Sequence, residues 1–112
     1  MLMAIIEFEM NPGFDDEFTG VIAALQPELE SIDGFISADP AQSLKRDGLM
    51  YEISYWRDEQ ALAAWSANHA HLDAKRRGKE SLLKWYRIRV GEVQRDWSYG
   101  SIPTESPSAK HA

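Results

Sequence analysis

The hydrophobic period of this chain switches repeatedly between two and three-to-four residues, and that succession limits its fold more than any other feature. From Leu2 to Met10, Leu2, Ala4, Ile6, Phe8 and Met10 share one parity and Met3, Ile5, Glu7 and Glu9 the other, the pattern of a β-strand. Asn11-Pro12-Gly13 ends it. Phe14, Phe18, Val21, Ile22, Leu25 and Leu29 then recur at helical spacing, which predicts an amphipathic helix from Phe14 to Ser31. Asp15, Asp16 and Glu17 occupy its first turn, where the helix dipole favours them, and Pro27 is expected to kink or tighten it. Asp33-Gly34 introduces a short strand, Phe35 to Ala38, and a polar loop from Pro40 to Gly48 leads to a stronger one, LMYEISYW at 49 to 56. Asp58 is placed to cap a second helix that carries Ala61, Leu62 and Trp65 inward and continues to Gly78. A last strand, Trp85 to Trp97, alternates Tyr86, Ile88 and Val90 against Arg87, Arg89 and Gly91.

The order β-α-β-β-α-β is that of a ferredoxin-like α+β sandwich: one four-stranded antiparallel sheet with both helices on one side. No third layer remains for the other side. That second face carries Met3, Ile5, Met50, Trp56 and Trp85, or their opposite-parity neighbours. An apolar, uncovered face marks an interface, so two sheets packed face to face are expected to form a C2 homodimer, a dimeric α+β barrel. The domain is assigned to residues 1–98, and the Gly-, Ser-, Pro- and Thr-rich segment 99–112 reads as a flexible tail.

At 112 residues the chain is long enough for one core, and 44% apolar with 11% aromatic content suffices to fill it. The net charge of −6 argues against nucleic acid or an anionic membrane as partner. The basic run Lys75-Arg76-Arg77-Gly78-Lys79 fits the last turn of a helix before its terminating glycine better than a phosphate patch. Without cysteine, a signal peptide or a long apolar run, the chain is expected to be soluble and cytoplasmic.

The stretch Asn68-His69-Ala70-His71-Leu72-Asp73 invites a metal reading, because H-x-H-x-D opens the ligand sets of several hydrolases. A metal centre needs three or four converging ligands. With no cysteine, and His111 as the only other histidine, the chain does not supply them, and no metal site is assigned.

The run YEISYWRDEQALAAW at 51 to 65, His71, the Arg76-Arg77-Gly78 triplet and WYRIRVGEVQRD at 85 to 96 together resemble the antibiotic biosynthesis monooxygenase (ABM) family, over residues 1 to about 98. The resemblance implies the dimeric α+β barrel and two known branches, cofactor-free oxygenases of polycyclic aromatics and haem-degrading enzymes. The haem branch uses a first-strand Asn, a second-helix Trp and a haem-ligating His ten residues beyond that Trp. Here the Trp matches Trp65, but the His position falls on Lys75 and the Asn position near Ile6. Haem is therefore kept only as an alternative cofactor, with His71 as its conceivable ligand.

In the cofactor-free branch the protein needs only an apolar cavity, a base and donors for the substrate anion. The resemblance places that cavity between the sheet and the second helix, with His71 and Trp65 as catalytic candidates. Asn68, His69, Tyr51, Tyr55, Phe35, Leu72 and Tyr86 are the candidate substrate contacts, and the ligand is a small hydroxylated aromatic molecule. Each has a plainer alternative. Trp65 continues the apolar stripe of Ala61 and Leu62, Asn68 suits a helix N-cap, and Tyr51 and Tyr55 share a sheet face on which they can simply pack. His69 and His71 lie about 200° apart on a helix, so one faces inward at most. An unbroken helix from Asp58 turns His69 in, whereas a new helix capped by Asn68 resets the phase and turns His71 in. A non-enzymatic ligand-binding dimer on the same fold is the competing function.

Overall fold

The computed structural model describes residues 1–103, apart from the side chains of His69 and Ala70. The elements run in the order β1 (Leu2–Met10), α1 (Asp15–Glu30), β2 (Phe35–Gln42), β3 (Met50–Trp56), α2 (Glu59–Ser66), α3 (His69–Arg77), a π-helical turn (Gly78–Leu82) and β4 (Leu83–Glu92). The sheet has the order β2-β3-β1-β4 with every neighbouring pair antiparallel, the ferredoxin-like arrangement. Residues 104–112, which include His111 and most of the segment read as a tail, lie outside the described residues.

Three elements differ in extent from the sequence reading, each for a local reason. β2 runs on through Pro40 to Gln42, which an edge strand allows because the proline's missing N–H faces no partner. β4 starts at Leu83, paired with Met10, and stops at Glu92, paired with Leu2, because β1 has no residues left to pair with a strand reaching Trp97. α1 keeps its expected extent to within one residue at each end, running three residues past Pro27, whose carbonyl accepts the Ser31 N–H at 3.1 Å. The second helix is not continuous: α2 ends at Ser66, and Asn68 opens α3 by accepting the His71 N–H on its Oδ1 at 3.0 Å.

Register decides which parity meets the helices. Leu2, Ala4, Ile6 and Phe8 on β1 stand beside Trp56, Ser54, Glu52 and Met50 on β3, and Ala4 and Phe8 are buried. Trp56, 1% exposed, is the centre of this layer: its indole Nε1 donates to Ser54 Oγ at 2.9 Å, and the Ser54 hydroxyl donates to the Ala4 carbonyl. Ala61 and Trp65 complete the buried cluster, with Leu25, Leu29 and Phe35 packed around it. The opposite face carries Met3, Ile5, Tyr51, Ile53 and Tyr55, all partly buried. Met50 and Trp56, expected on that open face, are on the helix side instead. Glu7 and Arg87 form an ion pair across the open face at 2.6 Å.

α2 is pressed tightly against the entrance of β2. Gly34 has φ +97°, and a Cβ added there would come within 2.7 Å of the Ala61 Cβ. Gly34→Ala should therefore combine left-handed strain with a clash against the Ala61 methyl and cost at least about 1–3 kcal/mol, measured by urea unfolding. Trp56→Ala should cost about 3–5 kcal/mol in the same measurement, because a fully buried indole leaves a cavity that the sheet cannot close.

Candidate active site

The break at Asn68 creates the site. It turns the axis of α3 so that His71 falls back on the end of α2, where its ring stacks on Trp65 at 4.5 Å with an interplanar angle of 7°. Trp65 in turn stacks on Trp56 at 6.4 Å, so the imidazole is carried on an aromatic column rising from the sheet. His71 Nδ1 lies 3.0 Å from the Trp65 carbonyl oxygen. A carbonyl can only accept, so Nδ1 holds the proton and Nε2 keeps its lone pair. Burial lowers the His71 pKa, the Trp65 carbonyl opposes this by holding the ring N–H, and the charge of Lys75 lowers it again. The ring is a neutral acceptor at physiological pH.

His71 faces a cleft bounded by the even-numbered face of the sheet, α1 and α3. It has two adjoining compartments of about 210 and 200 Å³, which share Ile6, Ile22, Leu25, Glu52, Ser66, His71 and Ile88. Tyr86 and Lys75 line the first, Trp65 and Trp56 the second. The walls are apolar with few polar groups, as a small-molecule site requires. Ile88, 46% exposed, leaves the β4 side of the cleft open to solvent.

The polar group that sequence reasoning missed is Glu52. It projects from the middle of β3 between Ile6 and Pro40, its cross-strand neighbours, onto the floor of both compartments. Among the described residues its carboxyl has no hydrogen-bond or ion-pair partner, and neither oxygen is sealed from the cleft. Burial, with a smaller push from the Asp39 charge, raises its pKa to about 7.

The other expected site residues are dispersed. Tyr51 and Tyr55 point from the opposite face of the sheet, because their parity is odd and the helices cover the even one. They do not reach this cleft. Phe35 packs edge-on against Trp56 at 5.3 Å within the core. Leu72, 47% exposed, points away from the cleft, and Asn68 is the helix cap, its amide donating to Glu28 at 3.3 Å. The side chain of His69 is outside the described residues. His71, Trp65 and Tyr86 are the expected residues that the cleft brings together.

Among the described residues no three His, Cys, Asp or Glu side chains converge as a metal cluster. The residues do not fit haem in the manner of the haem-degrading branch. The position of its ligating histidine is Lys75 and that of its asparagine is Ile6, and both line the cleft where imidazole and amide would be needed.

The comparisons agree with this fold. The sequence profile of the family described as antibiotic biosynthesis monooxygenase matches residues 1–77. A protein of Pyricularia oryzae named jasmonate monooxygenase ABM is 37% identical over 93 residues, covering 83% of this chain, which spans only 43% of that relative's length. Among solved structures, a Pseudomonas aeruginosa protein superposes with a TM-score of 0.70 at 26% identity, covering 84% of this chain and 94% of its own. A Deinococcus radiodurans protein superposes with a TM-score of 0.78 at 12% identity, covering 90% and 100%, which speaks for the fold alone. With the profile matching well over half of its length, and the element order and sheet topology in agreement, the chain belongs to the antibiotic biosynthesis monooxygenase family.

Proposed function

We propose that the protein is a cofactor-independent monooxygenase that oxidises a small hydroxylated aromatic molecule in the cleft between sheet and helices. The observation that carries this reading is His71: a neutral imidazole, locked in one tautomer by the Trp65 carbonyl, offering Nε2 as an acceptor in an apolar cavity. A phenol or hydroquinone that loses its proton becomes electron-rich enough to reduce O₂ itself, so the protein must supply the base and exclude water. Trp65 holds the base flat and walls the site. Tyr86 is the remaining phenolic donor in the first compartment.

A second substrate class follows from the Pyricularia oryzae relative, whose name assigns it a jasmonate. A jasmonate carries a carboxylate, and Lys75, which makes no ion pair among the described residues, stands at the cleft to receive one. The same cleft would then act on an acidic, non-phenolic molecule. The working unit is a homodimer in which the faces carrying Met3, Ile5, Tyr51 and Ile53 meet, an area expected to exceed the roughly 1,000 Å² of a stable interface. A monomer in sedimentation at micromolar concentration would remove the dimer.

Oxygen uptake with a panel containing a dihydroxyanthrone, a substituted hydroquinone and a jasmonate tests the reading directly. Wild type is expected to consume oxygen with one of them, and His71→Ala to lower that rate by about 10²-fold with the fold intact, the usual loss for a general base. No uptake above background with any of them would leave a ligand-binding dimer. Equal rates in wild type and His71→Ala would eliminate this imidazole as the base.

The charge state of the cleft gives an independent prediction. The native state keeps a proton on Glu52 up to about pH 7, whereas the unfolded chain releases it near 4.5. Between those values the native state binds more protons, so stability contributed by this group falls as pH rises. Glu52→Gln should lose that slope. At pH 8 it should be more stable than wild type by on the order of 2 kcal/mol after discounting for partial exposure, read from urea unfolding at several pH values.

A further inference from the structure

Resting on the monooxygenase reading above, we propose that Glu52 is the acid–base partner of His71, its carboxylic acid protonating the peroxide that forms on the substrate and its carboxylate then removing the second substrate proton. The geometry behind this is specific. Glu52 sits on the sheet floor and His71 on the helix wall of one cleft, and both border both of its compartments. Neither the carboxyl nor His71 Nε2 is engaged by another described residue, so both are available to a molecule lying between them. Burial keeps the imidazole neutral and leaves about half of the carboxyl protonated near pH 7, which makes the one an acceptor and the acid form of the other a donor.

The groups around Glu52 support that state. β2 contributes the negative charge of Asp39, which favours the acid form. α3 contributes His71, neutral, and the cation Lys75 at the edge of the first compartment, and β4 contributes Tyr86. α1 presents the apolar Ile22 and Leu25 and the amide of Gln26. β1 presents Ile6. No cation neutralises the carboxylate among these described contacts, so partial burial and a like charge favour its acid form.

The reaction balances with O₂ as the only oxidant. For a phenolic anthrone the net change is conversion of its ring methylene and O₂ to a ketone and water. His71 Nε2 takes the first proton, and the resulting anion transfers its electrons to O₂ and forms a carbon–oxygen bond, giving a peroxide anion. Glu52 donates its proton to the terminal peroxide oxygen. The Glu52 carboxylate then removes the remaining proton from the same carbon, whose electron pair forms the carbonyl as the oxygen–oxygen bond breaks. The departing hydroxide takes the proton from the imidazolium and leaves as water. Carbon loses four electrons, O₂ gains four, and both side chains return to their starting states.

The test is dihydroxyanthrone oxidation followed simultaneously by oxygen uptake, quinone absorbance and a colorimetric peroxide assay. Wild type should turn oxygen into quinone with little free or bound peroxide. Glu52→Gln, similar in shape, should continue to take up oxygen while quinone formation falls by about 10²-fold or more and peroxide accumulates. Glu52→Asp, which keeps the acid but withdraws it by one methylene, should restore quinone formation in part, and circular dichroism establishes that both variants fold. If Glu52→Gln forms quinone at the wild-type rate, or loses uptake and quinone together without peroxide, the role assigned to Glu52 is wrong while the monooxygenase reading stands. If wild type itself takes up no oxygen with this substrate, that reading fails for phenolic anthrones and the Glu52 proposal fails with it.

Discussion

The aromatic column of Trp56, Trp65 and His71 is the interaction on which the rest of the structure depends. Trp56 belongs to β3, Trp65 to α2 and His71 to α3, so one set of ring contacts ties three consecutive elements to one another. Removing the central ring would cost a buried indole its packing and the imidazole its platform together. The column also fixes chemistry. The Trp65 side chain orients the histidine ring while the Trp65 carbonyl chooses its tautomer, so a residue whose pattern marks it as core also determines which nitrogen is free. Trp65 is a core residue, as its apolar stripe suggests, and its ring also carries His71.

The element order was legible because each switch of hydrophobic period is bounded by a turn or cap residue: Asn11-Pro12-Gly13, Asp33-Gly34 and Asp58. Asp58 caps α2 as its sequence suggests, accepting the Ala61 N–H at 2.9 Å. The helix break at Asn68 was legible only as one of two options, since the residues from Glu59 to Arg77 permit a continuous helix and the capping preference of Asn competes with it. The structure takes the capped option, and the phase of His71 follows from it. Strand ends were less legible because they depend on the partner strand. β4 ends where β1 runs out of residues, a fact held in the pairing and not in the local sequence.

Glu52 was illegible for a related reason. In MYEISYW the odd positions Tyr51, Ile53 and Tyr55 are the more apolar set, and the even set contains Glu52 and Ser54, so alternation alone turns the wrong side toward the helices. What overrides it is register against β1, where Ala4, Ile6 and Phe8 share their side of the sheet with Ser54, Glu52 and Met50. Ser54 solves its burial by hydrogen bonding to the Ala4 carbonyl and receiving the Trp56 indole. Glu52 has no such solution. The signal available in the sequence was Trp56 at the end of the same parity, too large a ring to leave in solvent beside Ala4 and Phe8.

That contrast bears on why the carboxyl is there. A buried acid without partners costs stability relative to an amide or an aliphatic side chain of similar size, and the surrounding Ile6, Ile22 and Ile88 would accommodate either. The open face shows how the same sheet treats acids where they serve structure: Glu7 faces Arg87, and Glu9 is held by Arg46 and the Trp85 indole. Each of those carboxylates has a donor, whereas Glu52 has a cavity and an imidazole across it. Glu52 is thus a carboxylate that burial and the nearby Asp39 charge hold toward its acid form, with no donor among the described residues to offset them. That cost is what makes Glu52 a candidate for engagement by a ligand in the cleft.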